Sequence, residues 1–327
     1  MSVSSGTAAL HVAYAAMGVV PGDEVITTPL TFISTASCAS VLGATVVFAD
    51  ICEDTGNLDP AAVSAAMTDR TRVVAGVDYA GHPIDAPALT EVAHGGGALL
   101  LEDAAHSIGG TLHGRPVGSL ADVTTYSFFP TKNLTTAEGG AVASSLADVV
   151  DRARKFRGIG LVRDPALLRL PDEGPWHQEV HTFGLNYRLP DLLCVLGSSQ
   201  LPRLPAFKAR RDAITARYNE GLSGIDELRL PTCREGADPM WHLYPLRIRD
   251  GRRRALFEHL RANDIGVQVN YLPVYRQPVY ADLGYRPGMC PVAEEYYAQE
   301  ISLPLFPGLT DAEVDGVISL IRGFVGA

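Results

Sequence analysis

Short apolar runs alternate with helical runs along the first third of the chain, and this rhythm limits the fold more than any other feature. Residues 24–27, 44–50, 72–79 and 98–103 read as strands. Residues 7–17, 31–42, 60–67 and 87–94 read as helices, the third opening after Asp59 as an N-cap with Pro60 behind it. The strand runs are continuously apolar, as expected for strands buried on both faces. Strand–helix alternation of this kind predicts an α/β fold around a central, mostly parallel sheet.

The rhythm changes at about residue 147. Residues 165–176 read as an irregular loop. Residues 192–222 read as helix with breaks near Pro202 and Pro205, and Phe207, Ile214, Tyr218 and Leu222 fall on one face. Beyond about residue 224 the pattern is that of a small α+β unit, with strands at 241–248 and 265–271 and helices at 252–263, 291–300 and 311–324. The 327 residues accommodate a large domain over 1–205 and a small C-terminal one over 206–327.

Charge and cysteine content narrow the partners. A net charge of −10 argues against nucleic acid, whose phosphates require a basic stripe. It leaves room for a local anion pocket. No stretch reaches the ~18 apolar residues of a membrane span, and no signal peptide is visible. The five cysteines are odd in number and form no C-x-x-C pair. A disulfide framework or zinc site is therefore not expected, and the expected compartment is the cytoplasm. The histidines show no H-E-x-x-H spacing, so no metal site is expected.

The chain has three lysines: Lys132, Lys155 and Lys208. Lys155 and Lys208 lie among arginines on helical faces. Lys132 instead follows a strand-like run over 123–129 and precedes Asn133-Leu-Thr-Thr-Ala-Glu138-Gly-Gly140. A lysine amine can lose its proton and attack a carbonyl, which a guanidinium cannot do. Lys132 is thus a candidate Schiff-base nucleophile.

Other segments carry both a chemical and a plain structural reading. Ser4-Ser-Gly6-Thr7 opens a helix and suits either a phosphate or a simple cap. Glu102, Asp103 and His106 end a buried strand, where open α/β sheets bind ligands, or else cap the next loop. Ser127 faces either the same pocket or an ordinary strand neighbour. Phe32 could stack on a flat ring or fill the core. Asn186-Tyr187-Arg188 and the 270–278 stretch, with Tyr271 and Tyr275, are rich in hydrogen-bonding groups that would also suit polar turns.

In this order the segments resemble the DegT/DnrJ/EryC1/StrS family of pyridoxal-phosphate sugar aminotransferases. The matching stretches are Ser5-Gly-Thr-Ala-Ala-Leu10, Thr31-Phe32, Glu102-Asp-Ala-Ala-His106, Ser127-Phe-Phe-Pro-Thr-Lys132, Glu138-Gly-Gly140 and Asn186-Tyr-Arg188. The resemblance implies the aspartate-aminotransferase type of fold, that is, fold type I. It makes Lys132 the cofactor-binding lysine and proton shuttle, and Asp103 the partner of the pyridine nitrogen. His106 would lie near the phenolic oxygen, Gly6, Thr7 and Ser127 on the phosphate, and Phe32 on the ring. Asn186 would reach the neighbouring subunit's cofactor, which implies a homodimer. Glu138, Tyr187, Arg188, Tyr271 and Tyr275 would contact substrate.

Glutamate would be the amino donor. The acceptor would be a nucleotide-linked keto sugar, and the 184–191, 200–211 and 270–280 stretches resemble enzymes acting on UDP-linked 4-keto-6-deoxy-N-acetylhexoses. That last loop often carries histidine where Tyr275 stands. Sugar dehydratases of the same fold replace the lysine by histidine, so Lys132 favours transamination over dehydration. The family also carries a longer segment before the Ser-Gly-Thr motif, which supplies a helix and a loop near the active site. The motif's early position here keeps a truncated or partner-completed chain, or a non-catalytic cofactor-binding protein, as alternative expectations.

Overall fold

The computed structural model describes residues 1–170 and 173–326. The N-terminal half runs β1 (Ser2–Val3), α1 (Gly6–Ala16), β2 (Glu24–Thr27), α2 (Ser34–Val41), β3 (Thr45–Phe48), α3 (Pro60–Ala66), β4 (Thr71–Val77), α4 (Ala86–Gly95) and β5 (Leu99–Asp103). The short strands β6 (Thr111–Leu112) and β7 (Arg115–Pro116) precede β8 (Val123–Ser127), β9 (Gly140–Ser144) and α5 (Ala147–Arg157). Seven strands make the central sheet, in the order β1-β9-β8-β5-β4-β2-β3. The pairings β2–β3, β2–β4, β4–β5 and β5–β8 are parallel; β9 alone runs against them, and β1, antiparallel to β9, shares their direction.

Period-two alternation explains why consecutive residues along the centres of these strands are apolar. Val25, Val73, Ala75 and Leu101 point into one core, with α1, α2 and α5. Their chain neighbours Ile26, Val74 and Leu100 point into a second, with α3 and α4. The Asp59 carboxylate accepts from Ala61 N at 2.9 Å and Pro60 opens α3, so that helix starts where the sequence indicates.

The chain continues through β10 (Leu161–Val162) and β11 (Glu179–Val180) to α6 (Asp191–Gln200) and α7 (Leu204–Leu222). Then come β12 (Leu228–Arg229), β13 (Ala237–Asp238), β14 (Tyr244–Ile248), α8 (Arg253–Ala262), α9 (Pro278–Asp282), α10 (Pro291–Gln299), β15 (Glu300–Leu303) and α11 (Asp311–Val325). A third core gathers around β12, β14 and β15 and takes all its buried residues from Ile214 onward. Tyr275, Tyr280, Ala293 and Tyr296 return instead to the first core.

Some boundaries differ from expectation. The expected loop at 165–176 opens with a single 3-10 turn, and its residues 171 and 172 lie outside the described residues. The helical run breaks at Pro202, in a 3-10 turn, but Pro205 lies within the first turn of α7, where a missing N–H costs nothing. Residues 265–271 form no strand. Only Gln268 pairs, with Ser302, while the Asn270 N–H donates to the Glu300 carboxylate at 2.7 Å and so leaves the ladder.

Candidate active site

The C-terminal ends of β5 and β8 and the start of α1 open on one cavity of about 860 Å³. Such an edge is where open parallel sheets place ligands. Gly6, Thr7, Phe32, Asp103, His106, Ser127, Lys132, Glu138 and Tyr271 all line it, so residues spread over most of the sequence converge there.

Lys132 sits on a tight turn after β8, its N–H bonded to Phe129 O at 2.9 Å. Asn133 pins that turn from below, its amide donating to His106 O at 2.6 Å and Met240 O at 3.2 Å. Burial pushes the Lys132 ammonium down to about 8, against the Asp103 carboxylate, which acts to raise it. Near neutral pH an appreciable share of this amine is unprotonated, as a nucleophile requires.

Asp103 ends β5. One carboxylate oxygen accepts from Thr35 Oγ1 at 2.7 Å and the other from Ala105 N at 3.2 Å. Burial raises its proton affinity, while Thr35 and the Lys132 charge oppose this. Glu102, one residue back, points away from the cavity and accepts from Thr124 Oγ1 and Gly118 N. Strand alternation therefore separates the two acids, and only Asp103 reaches the cavity.

His106 is buried and held neutral by desolvation, an effect the Lys132 charge reinforces. Its Nε2 lies 3.4 Å from Tyr271 Oη, and its ring lies 4.4 Å from that of His242. Its Nδ1 has no partner among the described residues. Phe32 is no core residue: it is 59% exposed and meets the Tyr271 ring edge-on.

Ser5 caps α1 through Ala8 N, and the first N–H groups of the helix have no intrahelical acceptor. Gly6 lies so close to β8 that a Cβ there would fall 2.7 Å from Ser127 Cβ. This close approach brings Ser127 Oγ alongside the free helix end.

Four expected residues lie off the cavity wall. Asn186 and Arg188 are exposed outside it. Tyr187 packs beside the first core, its hydroxyl 3.2 Å from His11 Nδ1. The expectation for Tyr275 requires correction. It is fully buried against Phe48, and its hydroxyl donates to Glu294 Oε1 at 2.6 Å, so it cannot touch a ligand in the cavity.

Sequence reasoning missed Thr35, Asn133 and His242, and noted Arg211 only within the substrate-like 200–211 stretch. Asn133 adjoins Lys132 and could have been found by that adjacency. Thr35, His242 and Arg211 reach the site only through tertiary folding. Together the wall offers an amine able to condense with a carbonyl, an acid able to hold a ring nitrogen protonated, an aromatic face and an anion-binding helix start.

Comparison with known proteins agrees with this chemistry. The profile of the DegT/DnrJ/EryC1/StrS aminotransferase family matches residues 1–322. The spore coat polysaccharide biosynthesis protein SpsC of Bacillus subtilis (strain 168) is 39% identical over 331 residues, 99% of this chain and 85% of that protein. The dTDP-3-amino-3,4,6-trideoxy-alpha-D-glucose transaminase of Streptomyces venezuelae is 35% identical over 324 residues, 98% of this chain and 82% of that protein. Among solved structures, the PMP-form of the sugar aminotransferase Spr1654 from Streptococcus pneumoniae superposes with a TM-score of 0.92 at 29% identity, covering 100% of this chain and 87% of that one. The chain belongs to the DegT/DnrJ/EryC1/StrS aminotransferase family.

Proposed function

We propose that this sugar aminotransferase moves the amino group of glutamate to the keto carbon of a UDP-linked 4-keto-6-deoxy-N-acetylhexose. The observation that carries the reading is Lys132, held partly unprotonated and facing Asp103 in one cavity. Pyridoxal phosphate is the cofactor, and when bound it supplies an electron sink at the reacting carbon. The wall fits such a group. His106 Nδ1 and Thr125 Oγ1 are buried polar atoms at the cavity without partners among the described residues, and the Gly6–Ser127 approach leaves a cradle at a helix start.

Within that cradle Gly6, Thr7 and Ser127 would take the phosphate. Phe32 would cover one ring face and Asp103 would hold the ring nitrogen. His106 would lie near the phenolic oxygen. Lys132 Nζ is the attachment point and, once free and neutral, the base that moves a proton at the substrate carbon. Glu138 and Tyr271 would contact the sugar from the wall.

We also propose a homodimer, to which Asn186, Tyr187 and Arg188 contribute across the interface. Supporting this, α6 buries none of its residues although its sequence is apolar, and Phe183 is 98% and Leu192 79% exposed nearby. Large single faces of this kind call for a covering partner. The divide between a large domain over 1–205 and a small one over 206–327 is likewise our assignment, since the third core draws only on the later residues. The unpaired thiols suit a reducing cytoplasm.

The test combines fixation and turnover. Borohydride reduction of the cofactor-loaded protein, followed by peptide mapping, should place the cofactor on Lys132. Lys132→Ala should lose both this adduct and glutamate-dependent turnover. Retained turnover in that variant would overturn the role. A panel of UDP-, GDP- and dTDP-linked keto sugars reads the acceptor, and preference for a nucleotide other than UDP would overturn that part.

A further inference from the structure

Arg211 is a cation in the wrong place for a merely structural arginine. It projects from α7 into the cavity wall and is only 3% exposed. No carboxylate among the described residues lies within ion-pair distance of it. Its Nη1 donates to Leu305 O at 2.9 Å and Trp241 O at 3.1 Å, with His242 O at 3.5 Å. Those bonds tie α7 to the segments before β14 and after β15, and they occupy one of the three nitrogens. Among the described residues Nε is buried with no partner, and the hydrogen bonds of the group all leave from Nη1.

A guanidinium carries five N–H donors in a fixed fork, and burying one without an anion is costly. Burial lowers its proton affinity only to about 10, so the charge persists at neutral pH. The protein therefore holds, beside its reaction chamber, a positive fork whose counter-charge is missing. The position is close to the chemistry: the charges of both Lys132 and Arg211 act on the buried His242 ring.

We propose that Arg211 anchors the carboxylate of the amino donor. This rests on the transamination reading above and deepens it. The competing oxyanion is the diphosphate of the sugar nucleotide. The surroundings favour the carboxylate, because Leu243, Leu305, Phe306 and Pro307 give the same cavity an apolar stretch of wall. A carboxylate next to the migrating nitrogen fits a recess inside the chamber, whereas a diphosphate must lead outward to its nucleoside.

The experiment uses the full chain loaded with pyridoxal phosphate and compares Arg211→Lys and Arg211→Gln with the parent. Two half-reactions are followed separately: glutamate with the loaded enzyme, and a keto sugar nucleotide with the aminated enzyme. A hydrogen-bonded charge pair of this kind supports a rise in the half-saturating glutamate concentration of about ten- to hundredfold, smaller for lysine, which keeps the charge without the fork. Cofactor fixation on Lys132 and half-saturation by the sugar nucleotide should stay unchanged.

Unchanged glutamate dependence would overturn the proposal. A shift confined to the sugar-nucleotide arm would assign the fork to the diphosphate and overturn it too. If neither variant folds by circular dichroism, the carbonyl bonds alone account for the side chain, and the proposal fails. A parent enzyme that ignores glutamate but accepts another amino acid would sink the donor assignment only, and the same comparison then runs with that donor.

Discussion

Placing a methyl group at Gly6 tests the cradle directly. The Cβ of Gly6→Ala would stand 2.7 Å from Ser127 Cβ and 2.9 Å from Ser127 Oγ. Carbon pairs settle at about 3.5–4.0 Å, so α1 and β8 must part by roughly 1 Å. Neither can move freely. Ala8, Ala9, Leu10, Val12 and Ala13 lock α1 into the core, and Ser127 is paired to Gly140 in β9. Overpacking of this sort costs about 1–3 kcal/mol, against a gain under about 1 kcal/mol from replacing a helical glycine. A net loss of about 1–2 kcal/mol is expected, read as a lower midpoint in urea. Cofactor affinity should fall with it, because the same approach shapes the anion end. In a Ser127→Gly background the nearest remaining Ser127 atom is its Cα, at 3.3 Å, and most of the penalty should vanish. A cycle of the four proteins should therefore show coupling of about 1 kcal/mol or more. Additive effects would refute the cradle geometry.

Capture of pyridoxal phosphate requires the neutral Lys132 amine, so its rate should climb with pH through a midpoint near 8. The Asp103 charge raises that proton affinity, so Asp103→Asn should move the midpoint to lower pH; stopped-flow absorbance showing it unmoved or higher would disprove the coupling. The same variant should slow turnover at least ~100-fold. Tyr275→Phe should lose about 1 kcal/mol of stability with its bond to Glu294, and leave steady-state turnover and acceptor half-saturation unaltered. A changed acceptor constant would return Tyr275 to the substrate.

The sheet was readable because strands buried on two faces are apolar in succession along their centres, as Val25–Ile26, Val73–Val77 and Leu99–Leu101 are. Lys132 and Asp103 could be placed on one cavity from the sequence because Asp103 ends a strand and Lys132 follows one on a turn. Phe32 was ambiguous, since an aromatic residue has the same apolar character whether it lines a cavity or fills a core; its exposure decides. Tyr275 misled for the converse reason. Its hydroxyl invites a polar assignment, yet Glu294, 19 residues onward, comes close enough to satisfy it in the interior. Residues 265–271 carried strand-like side chains but surrendered a ladder N–H to the Glu300 carboxylate, which no local pattern signals. Arg211 looked like one of many helix-face charges, because its partners come from the segments before β14 and after β15.

Two separately packed bodies contribute to one chamber. The parallel sheet and the turn after β8 supply Asp103, Ser127 and Lys132, while the later core supplies Leu303 and Leu305 and α7 supplies Arg211. Substitutions around β14 and β15 can thus reshape one flank without disturbing the anchoring lysine. Divergence in what such a catalyst accepts can accumulate on that flank while the lysine chemistry opposite stays put.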